Sequence, residues 1–201
     1  MNQSDKIIFG FIIGASFPIL FSLIAMTVGF YFFKTESLPY FFFAGLLTGL
    51  LIDIVYLKRL LNNILDIPIG ILAGFYIFHN VIIYGLFMGF PVFNLVMGVV
   101  AGYYFGRRIN YKNITSGQRE IIIKKVSLFS GLIMLIICIS SGLIALSEKT
   151  IGSELQNMLG LGFVVTKGMI IGTIIIGGLT LIISQYYLTR IVMIKTIIKK
   201  K

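Results

Sequence analysis

Three polar side chains stand inside long apolar stretches of this sequence and are its best candidates for chemistry. Asp53 is the only acidic residue within such a stretch, and His79 and Asn80 lie side by side in the middle of another. An ionisable side chain in apolar surroundings is costly, so such residues often mark a path for ions or substrate. We therefore expect a site for a cation, a proton or a polar solute.

Asp53 has two interpretations. As a functional group it would bind a cation or a proton, or accept a hydrogen bond from a substrate. As a structural group it would pair with a basic residue near the membrane surface. Lys58 and Arg59 lie off its helical face, so such a pair needs another segment, for example Arg107.

The other candidate binding residues are grouped around His79 and Asn80. Imidazole exchanges a proton near neutral pH, and an amide both donates and accepts hydrogen bonds. We expect these side chains to line a polar pocket between the second, third and fourth helices; the alternative is that they only hold helices together, for about 1 kcal/mol each. The predicted substrate-binding residues are Asp53, Tyr76, His79, Asn80, Tyr84 and Asn94.

An adjacent pair of arginines follows the fourth apolar stretch. Arg107 and Arg108 are candidates for binding an anionic lipid headgroup or a phosphate, because a guanidinium group pairs with phosphate oxygens in a fixed geometry. The alternative is that they only set the orientation of the chain in the membrane.

The sequence contains few of the residue combinations that catalytic sites and cofactor sites require. The chain has one cysteine, Cys138, and one histidine, too few for a zinc site built on Cys and His or for a bis-histidine haem. We see no paired carboxylates, phosphate-binding loop or nucleotide-binding glycine motif. We therefore expect no cofactor and no metal, and a lipid-modifying enzyme is only a third hypothesis.

The elements that must position these residues are predicted to be transmembrane helices. Hydrophobic residues make up 58% of the chain and charged residues 12%, where soluble domains carry about 25% charged residues. A soluble fold cannot bury so much apolar surface, so the excess must face lipid. The net charge of +10 does not indicate nucleic-acid binding, since the basic residues flank the apolar stretches, as membrane-surface residues do.

Hydropathy and turn signals predict an all-α membrane protein, a compact bundle of six transmembrane helices in a single domain, 1–201. A crossing takes about 20 apolar residues, and Gly89-Phe90-Pro91 divides the longest stretch. The span 91–106 is short, and a re-entrant segment with five crossings is the alternative. The predicted helices cover 7–33, 39–57, 67–89, 91–106, 122–146 and 168–189, with a short external amphipathic helix near 153–159.

The distribution of Lys and Arg predicts the orientation, because these residues are enriched in cytoplasmic loops. With both termini in the cytoplasm, only Lys34, Lys149 and Lys167 lie outside. We therefore expect a multi-pass protein of the cell membrane.

Glycines four residues apart recur along the predicted helices and indicate close helix interfaces. Small residues let backbones approach one another in a bilayer. Apolar contact between helices alone does not stabilise their association there, because lipid tails provide equivalent contacts. Asp53 and Asn94 continue two of these stripes at four-residue steps, so we expect both to face another helix. The spacing occurs at Gly10/Gly14, Gly45/Gly49, Gly70/Gly74, Gly85/Gly89, Gly98/Gly102/Gly106 and Gly168/Gly172, and Gly70, Gly74, Gly85 and Gly89 lie on one face of the third helix.

These patterns leave two classes of function open. The first is a small transport component that binds or passes a solute through the polar pocket. The second is a membrane-embedded subunit or scaffold that packs against a partner protein or another copy of itself. In the second class the polar residues serve only to hold helices together.

Overall fold

The computed structural model describes residues 3–33, 35–160 and 162–198, which are helical almost throughout. Three short 3-10 turns connect helices, at Thr35–Ser37, Ile64–Asp66 and Pro91–Asn94. No strand occurs in the described residues, so the all-α prediction is confirmed. The helices are α1 (Gln3–Phe32), α2 (Leu38–Asn62), α3 (Ile69–Leu86), α4 (Leu95–Tyr111), α5 (Ser116–Ser147), α6 (Ile151–Leu159) and α7 (Lys167–Ile198).

Five of the described helical segments are long and apolar enough to cross a bilayer. Large apolar side chains such as Phe11, Ile54 and Ile176 are exposed on them, whereas soluble monomers rarely expose large apolar patches. These features are compatible with a multi-pass membrane protein. The five segments are Ile7–Phe32, Thr35–Asn62, Ile69–Leu86, Ser116–Ser147 and Lys167–Ile198.

The predicted fourth span, 91–106, is shifted in the structure. A 3-10 turn occupies its first four residues, and α4 continues beyond Arg107 to Tyr111. The apolar run stops before the arginines, but the buried face of the helix continues to Asn110. With 17 residues, α4 is about 26 Å long, less than the roughly 30 Å of a bilayer core. A sixth crossing therefore stays a prediction.

The helices α5 and α7 are longer than their apolar runs. The first begins at Ser116, ahead of its apolar run, with Thr115 at the N-cap position, where the Thr115-x-x-Gln118 spacing predicts a cytoplasmic extension of the helix. The second reaches Ile198 rather than residue 189. Lys and Arg are good helix formers, so charged residues end a membrane span without ending the helix.

The short α6 occupies the position predicted for an amphipathic helix and ends at Gly160, which has a φ of +60°. The apolar face predicted there, Leu155, Met158 and Leu159, lies outside the described side chains.

The chain forms two compact units, Met1–Phe75 and Tyr76–Lys201, with the boundary inside α3. In the first unit α1 packs against α2 through the glycines of α2. A Cβ atom at Gly49 would collide with Pro18, which lies inside α1, and one at Gly45 would lie 2.6 Å from Ser22 Cα. The two backbones therefore meet directly, as the stripe of Gly45 and Gly49 predicts.

In the second unit α4 packs along α7 and beside α5. The glycine stripe of α4 faces α7, where a Cβ atom at Gly102 would lie 2.6 Å from the carbonyl oxygen of Thr189. An apolar cluster ties α3, α4 and α5 together. Its buried members are Tyr76, Met97, Ala101, Ile133 and Ile137.

The stripe on α3 does not form the predicted helix interface. No described atom lies within 4 Å of the place where a Cβ atom would sit at Gly70, Gly74 or Gly85. The buried residues of α3 are instead Tyr76 and Asn80. Glycine spacing indicates which helix faces are smooth enough for close approach, and other residues of α3 decide which face is covered.

Candidate functional site

Four polar side chains from three helices form a hydrogen-bonded cluster in the second unit, which we call the polar core. It consists of Tyr76 on α3, Ser130 on α5, and Gln185 and Thr189 on α7. Gln185 and Thr189 are 0% exposed, and Ser130 is 1% exposed. The i, i+4 spacing of Gln185 and Thr189 places both on the face of α7 that α4 and α5 cover.

Ser130 is the hub of the polar core. Its Oγ lies 2.7 Å from the hydroxyl of Tyr76 and accepts a hydrogen bond from Gln185 Nε2 at 3.0 Å. Gln185 Nε2 also donates to the hydroxyl of Tyr76 at 3.0 Å. Thr189 Oγ1 lies 3.0 Å from Ser130 Oγ and 2.9 Å from the carbonyl oxygen of Gln185.

The donors of the polar core are matched to its contacts. The Gln185 amide carries two N–H groups, and Tyr76, Ser130 and Thr189 each carry one hydroxyl proton. Hydroxyl protons rotate, so these donors can be distributed one to each of the contacts just described. No donor is then left over for a bound solute.

Two asparagines extend this network towards the start of α4. Asn80 Nδ2 donates to the carbonyl oxygen of Tyr76 at 2.8 Å. Asn94 Nδ2 donates to the carbonyl oxygen of Asn80 at 2.7 Å and lies 3.1 Å from Asn80 Oδ1. Asn94 is 0% exposed, so the prediction that it faces another helix is confirmed. The pair fastens the beginning of α4 to α3.

Several buried oxygen atoms of the second unit have no hydrogen-bond partner among the described residues. They include Gln185 Oε1, Asn94 Oδ1 and Ser127 Oγ. Gln185 Oε1 lies over Gly98, where a Cβ atom would sit only 2.8 Å away. The glycine stripe of α4 therefore does more than admit the backbone of α7, because it also makes room for the glutamine amide.

The structure brings together three of the predicted binding residues, Tyr76, Asn80 and Asn94. Tyr84 packs against the apolar cluster, and its buried hydroxyl has no hydrogen-bond partner in the described part of the chain. The ring of His79 is half-buried and lies edge-on to Phe78, with ring centroids 5.6 Å apart. The prediction that all of these residues bind substrate stays untested.

Asp53 lies in the first unit and has a different environment. It is 7% exposed, and a Cβ atom at Gly14 would lie 3.9 Å from its Oδ2. The carboxyl group therefore faces α1, as the glycine stripe predicts. Its Oδ1 is buried and has no hydrogen-bond partner among the described residues. No described side chain of α1 or α2 therefore offsets, by a hydrogen bond, the loss of water at that oxygen.

The predicted arginine pair lies near the end of α4. Both side chains are half-buried, and Arg108 Nη1 donates to the hydroxyl of Tyr104 at 3.3 Å, one helical turn away.

Among the described residues, no group of three or more His, Cys, Asp and Glu side chains lies close enough together to hold a metal ion.

Sequence reasoning missed Ser130, Gln185 and Thr189. Serine and threonine are common in apolar helices, where they bond to their own backbone, so hydropathy gives them no weight. One usable signal was present, because Gln185 is the only glutamine within the last apolar stretch and Thr189 follows it at i+4. That spacing indicates a polar face on an otherwise apolar helix.

Comparison with protein-family models, curated proteins and solved structures finds none that matches this chain. The candidate function therefore rests on the geometry of the residues described above.

Proposed function

We propose that this chain is a multi-pass membrane protein that works as a small transport component, with Asp53 as its cation- or proton-binding group. The observation that carries the proposal is the buried Oδ1 of Asp53, which has no hydrogen-bond partner in the described residues. A buried carboxylate is costly unless a charge or a donor meets it. A transported cation, a proton or the ammonium group of a solute supplies the positive charge or the hydrogen-bond donor that this carboxylate needs.

The contrast with the polar core supports this choice. Tyr76, Asn80 and Asn94 have hydrogen-bond partners from the protein itself. Holding helices together already explains why they are polar. Asp53 has no such explanation, so we remove the asparagines and Tyr76 from the proposed binding site and keep the aspartate.

A flux assay on reconstituted protein tests the proposal. Full-length protein is placed in liposomes that contain a pH-sensitive dye, and proton entry is followed with Na⁺ or K⁺ gradients and with a membrane potential. We expect flux in the wild type and a loss of at least tenfold in Asp53→Asn, because the amide cannot bind or release a proton. Glu36→Gln is the matched control, since it removes an exposed acid outside the apolar part of α2.

Two results would contradict the proposal. One is equal flux in Asp53→Asn and the wild type, and the other is an equal loss in Glu36→Gln. Thermal unfolding of each variant in detergent separates loss of flux from loss of the fold.

The proposed orientation places both termini and the α4–α5 connection in the cytoplasm of a cell-membrane protein. A cysteine is introduced at Asn113, between these helices, after Cys138 is replaced by alanine. In intact cells a membrane-impermeant thiol reagent should label this position only after the cells are opened. Labelling in intact cells would show that every loop lies on the opposite side of the membrane from the one proposed.

A second candidate function is a membrane-embedded scaffold, and the polar core is the observation that favours it. Three helices share hydrogen bonds that occupy the donors of the polar core, as expected of a unit built for rigidity. This candidate predicts that the full chain copurifies with another membrane protein or with a second copy of itself. It also predicts that Gln185→Leu weakens that association and lowers stability while leaving flux per folded molecule unchanged. A chain that stays monomeric and alone in a gentle detergent would count against it.

A further inference from the structure

A cleft in the first unit lies apart from the residues discussed so far. Its volume is about 450 Å³, and it is bounded by α1, α2 and the connection that follows α2. The pocket is lined mainly by apolar side chains, with polar side chains contributed by α2. The residues that matter here are Phe17, Ile52, Tyr56, Arg59, Leu60 and Asn63.

The α2 wall of the cleft changes character along its length. Ile52, Tyr56 and Arg59 lie four and three residues apart on α2, which puts them on one face of the helix. Asn63, the residue that follows α2, comes four residues after Arg59. The wall runs from aliphatic through aromatic to charged and amide groups over about 16 Å. The same succession of groups leads from the hydrocarbon core of a bilayer to its headgroup layer, where tyrosine and arginine are favoured.

Arg59 provides the chemical specificity. Its side chain is exposed, and it has no ion pair or side-chain hydrogen bond among the described residues. A guanidinium group stays charged at any physiological pH and binds phosphate oxygens through two parallel N–H groups. By contrast, Arg108, which the sequence offers as a headgroup ligand, already donates to Tyr104.

We propose that this cleft binds one anionic phospholipid. The phosphate is bound by Arg59 with Asn63 beside it, and the upper part of an acyl chain lies against Phe17, Ile52 and Leu60. The charge of Arg59 selects an anionic headgroup, and the apolar lining selects a lipid over a free phosphate. The site is independent of Asp53, which does not line the cleft.

The test measures binding of short-chain lipids to the full chain in a neutral detergent, by native mass spectrometry and by thermal shift. The probes are dioctanoyl phosphatidylglycerol, dioctanoyl phosphatidylcholine, glycerol phosphate and inorganic phosphate. We expect phosphatidylglycerol to bind at least tenfold more tightly than phosphatidylcholine. We expect no saturable binding of the two probes that lack acyl chains.

Two substitutions locate the binding. Arg59→Gln should weaken phosphatidylglycerol binding about tenfold, the effect of losing one charge-assisted contact. Ile52→Trp should block the cleft and reduce binding by at least as much. Lys58→Gln is the matched control, because it removes a neighbouring exposed charge that does not line the cleft, and it should change binding less than twofold.

Several outcomes would overturn this inference. Equal losses in Arg59→Gln and Lys58→Gln would mean that general surface charge attracts the lipid. Equal affinity for the two phospholipids would exclude selection of an anionic headgroup, because both lipids carry the same phosphodiester and differ in net charge. Binding of inorganic phosphate as tight as that of the lipid would exclude a role for the apolar lining. Asp53→Asn should bind lipid normally even if it abolishes flux, so the two proposals can fail separately.

Discussion

The two units of this protein hold their helices together in different ways. In the first, α1 and α2 meet backbone to backbone at Gly45 and Gly49, with a long hydrogen bond of 3.3 Å from Ser22 Oγ to the carbonyl oxygen of Phe42. In the second, glycine contacts between α4 and α7 are joined by the polar core, in which Tyr76 and Gln185 bond across 109 residues of sequence.

This difference shows when helices need hydrogen bonds between them in addition to close packing. A short connection between α1 and α2 already limits how the two helices can slide, so smooth surfaces suffice. Helices that are far apart in sequence have no such restraint, and polar pairs that fit in one register supply it. A buried polar side chain that bonds to another helix is then explained by packing, even where one of its oxygens stays unpaired. Asp53 makes no side-chain hydrogen bond among the described residues, so it calls for a function.

The largest expected effect comes from enlarging a glycine in the first unit. Gly49→Leu puts a side chain where the backbone of α1 lies at Pro18, and backbone cannot move aside as a side chain does. We expect a loss of about 3 kcal/mol or more in the free energy of unfolding, at the upper end of overpacking effects. Denaturation in mixed detergent micelles measures it. Gly74→Leu is the control, because no described atom lies near that position, and an equal loss there would refute direct backbone packing.

The next largest effect should come from Gln185, which donates to two members of the polar core. Gln185→Leu removes two donors and leaves the hydroxyls of Tyr76 and Ser130 with fewer partners. We expect a loss of about 2 kcal/mol, since each hydrogen bond between membrane helices contributes roughly 0.6–1.7 kcal/mol. Gln118→Leu makes the same change at an exposed position and should be neutral. A neutral Gln185→Leu would mean that glycine packing alone holds the second unit as well.

Two further substitutions should change the free energy of unfolding in opposite directions. Asn94→Leu breaks a bonded pair and should cost about 1 kcal/mol. Asp53→Asn removes a buried charge that has no described partner at Oδ1 and should stabilise the fold by about 1 kcal/mol. Unfolding of both variants at one pH in one detergent makes the comparison. If Asp53→Asn destabilises the fold as much as Asn94→Leu does, the aspartate is structural and the distinction between the units fails.

The smallest expected effect concerns a glycine that faces open space. Gly85→Ala should raise stability by somewhat less than 1 kcal/mol, because alanine is the better helix former and no described atom lies near the added methyl group. The thermal unfolding midpoint should rise slightly. A drop would show that another surface covers this face of α3 in the folded protein.

Much of the local structure was predictable. The apolar runs located the helices, and Asp53 and Asn94 were recognised as facing another helix from the four-residue steps that join them to glycines. The ends of α4 and α7 were misplaced, because hydropathy marks where apolar residues stop and arginine or lysine can continue a helix. The stripe of Gly70, Gly74 and Gly85 was misread because smoothness is necessary for close packing but does not select a partner.

The candidate sites were less predictable. A lone acid in an apolar run stands out in a sequence, so Asp53 was identified directly. Ser130 and Thr189 do not stand out, since hydroxyl residues are ordinary in such helices. The cleft beside Arg59 is formed by side chains of α1, α2 and the following turn, and no pattern within one of these segments indicates it.

By itself, the sequence determined the helical class, the apolar character of the long helices and the identity of the few polar side chains within them. Each of these depends on the local succession of residue types and on the cost of exposing apolar surface to water. Only the tertiary structure decided which polar groups found partners, because a hydrogen bond requires two atoms within about 3 Å. That distance depends on how helices far apart in the chain are packed. It separates Asn94, whose amide nitrogen donates to Asn80, from Asp53, whose carboxyl group makes no hydrogen bond among the described residues.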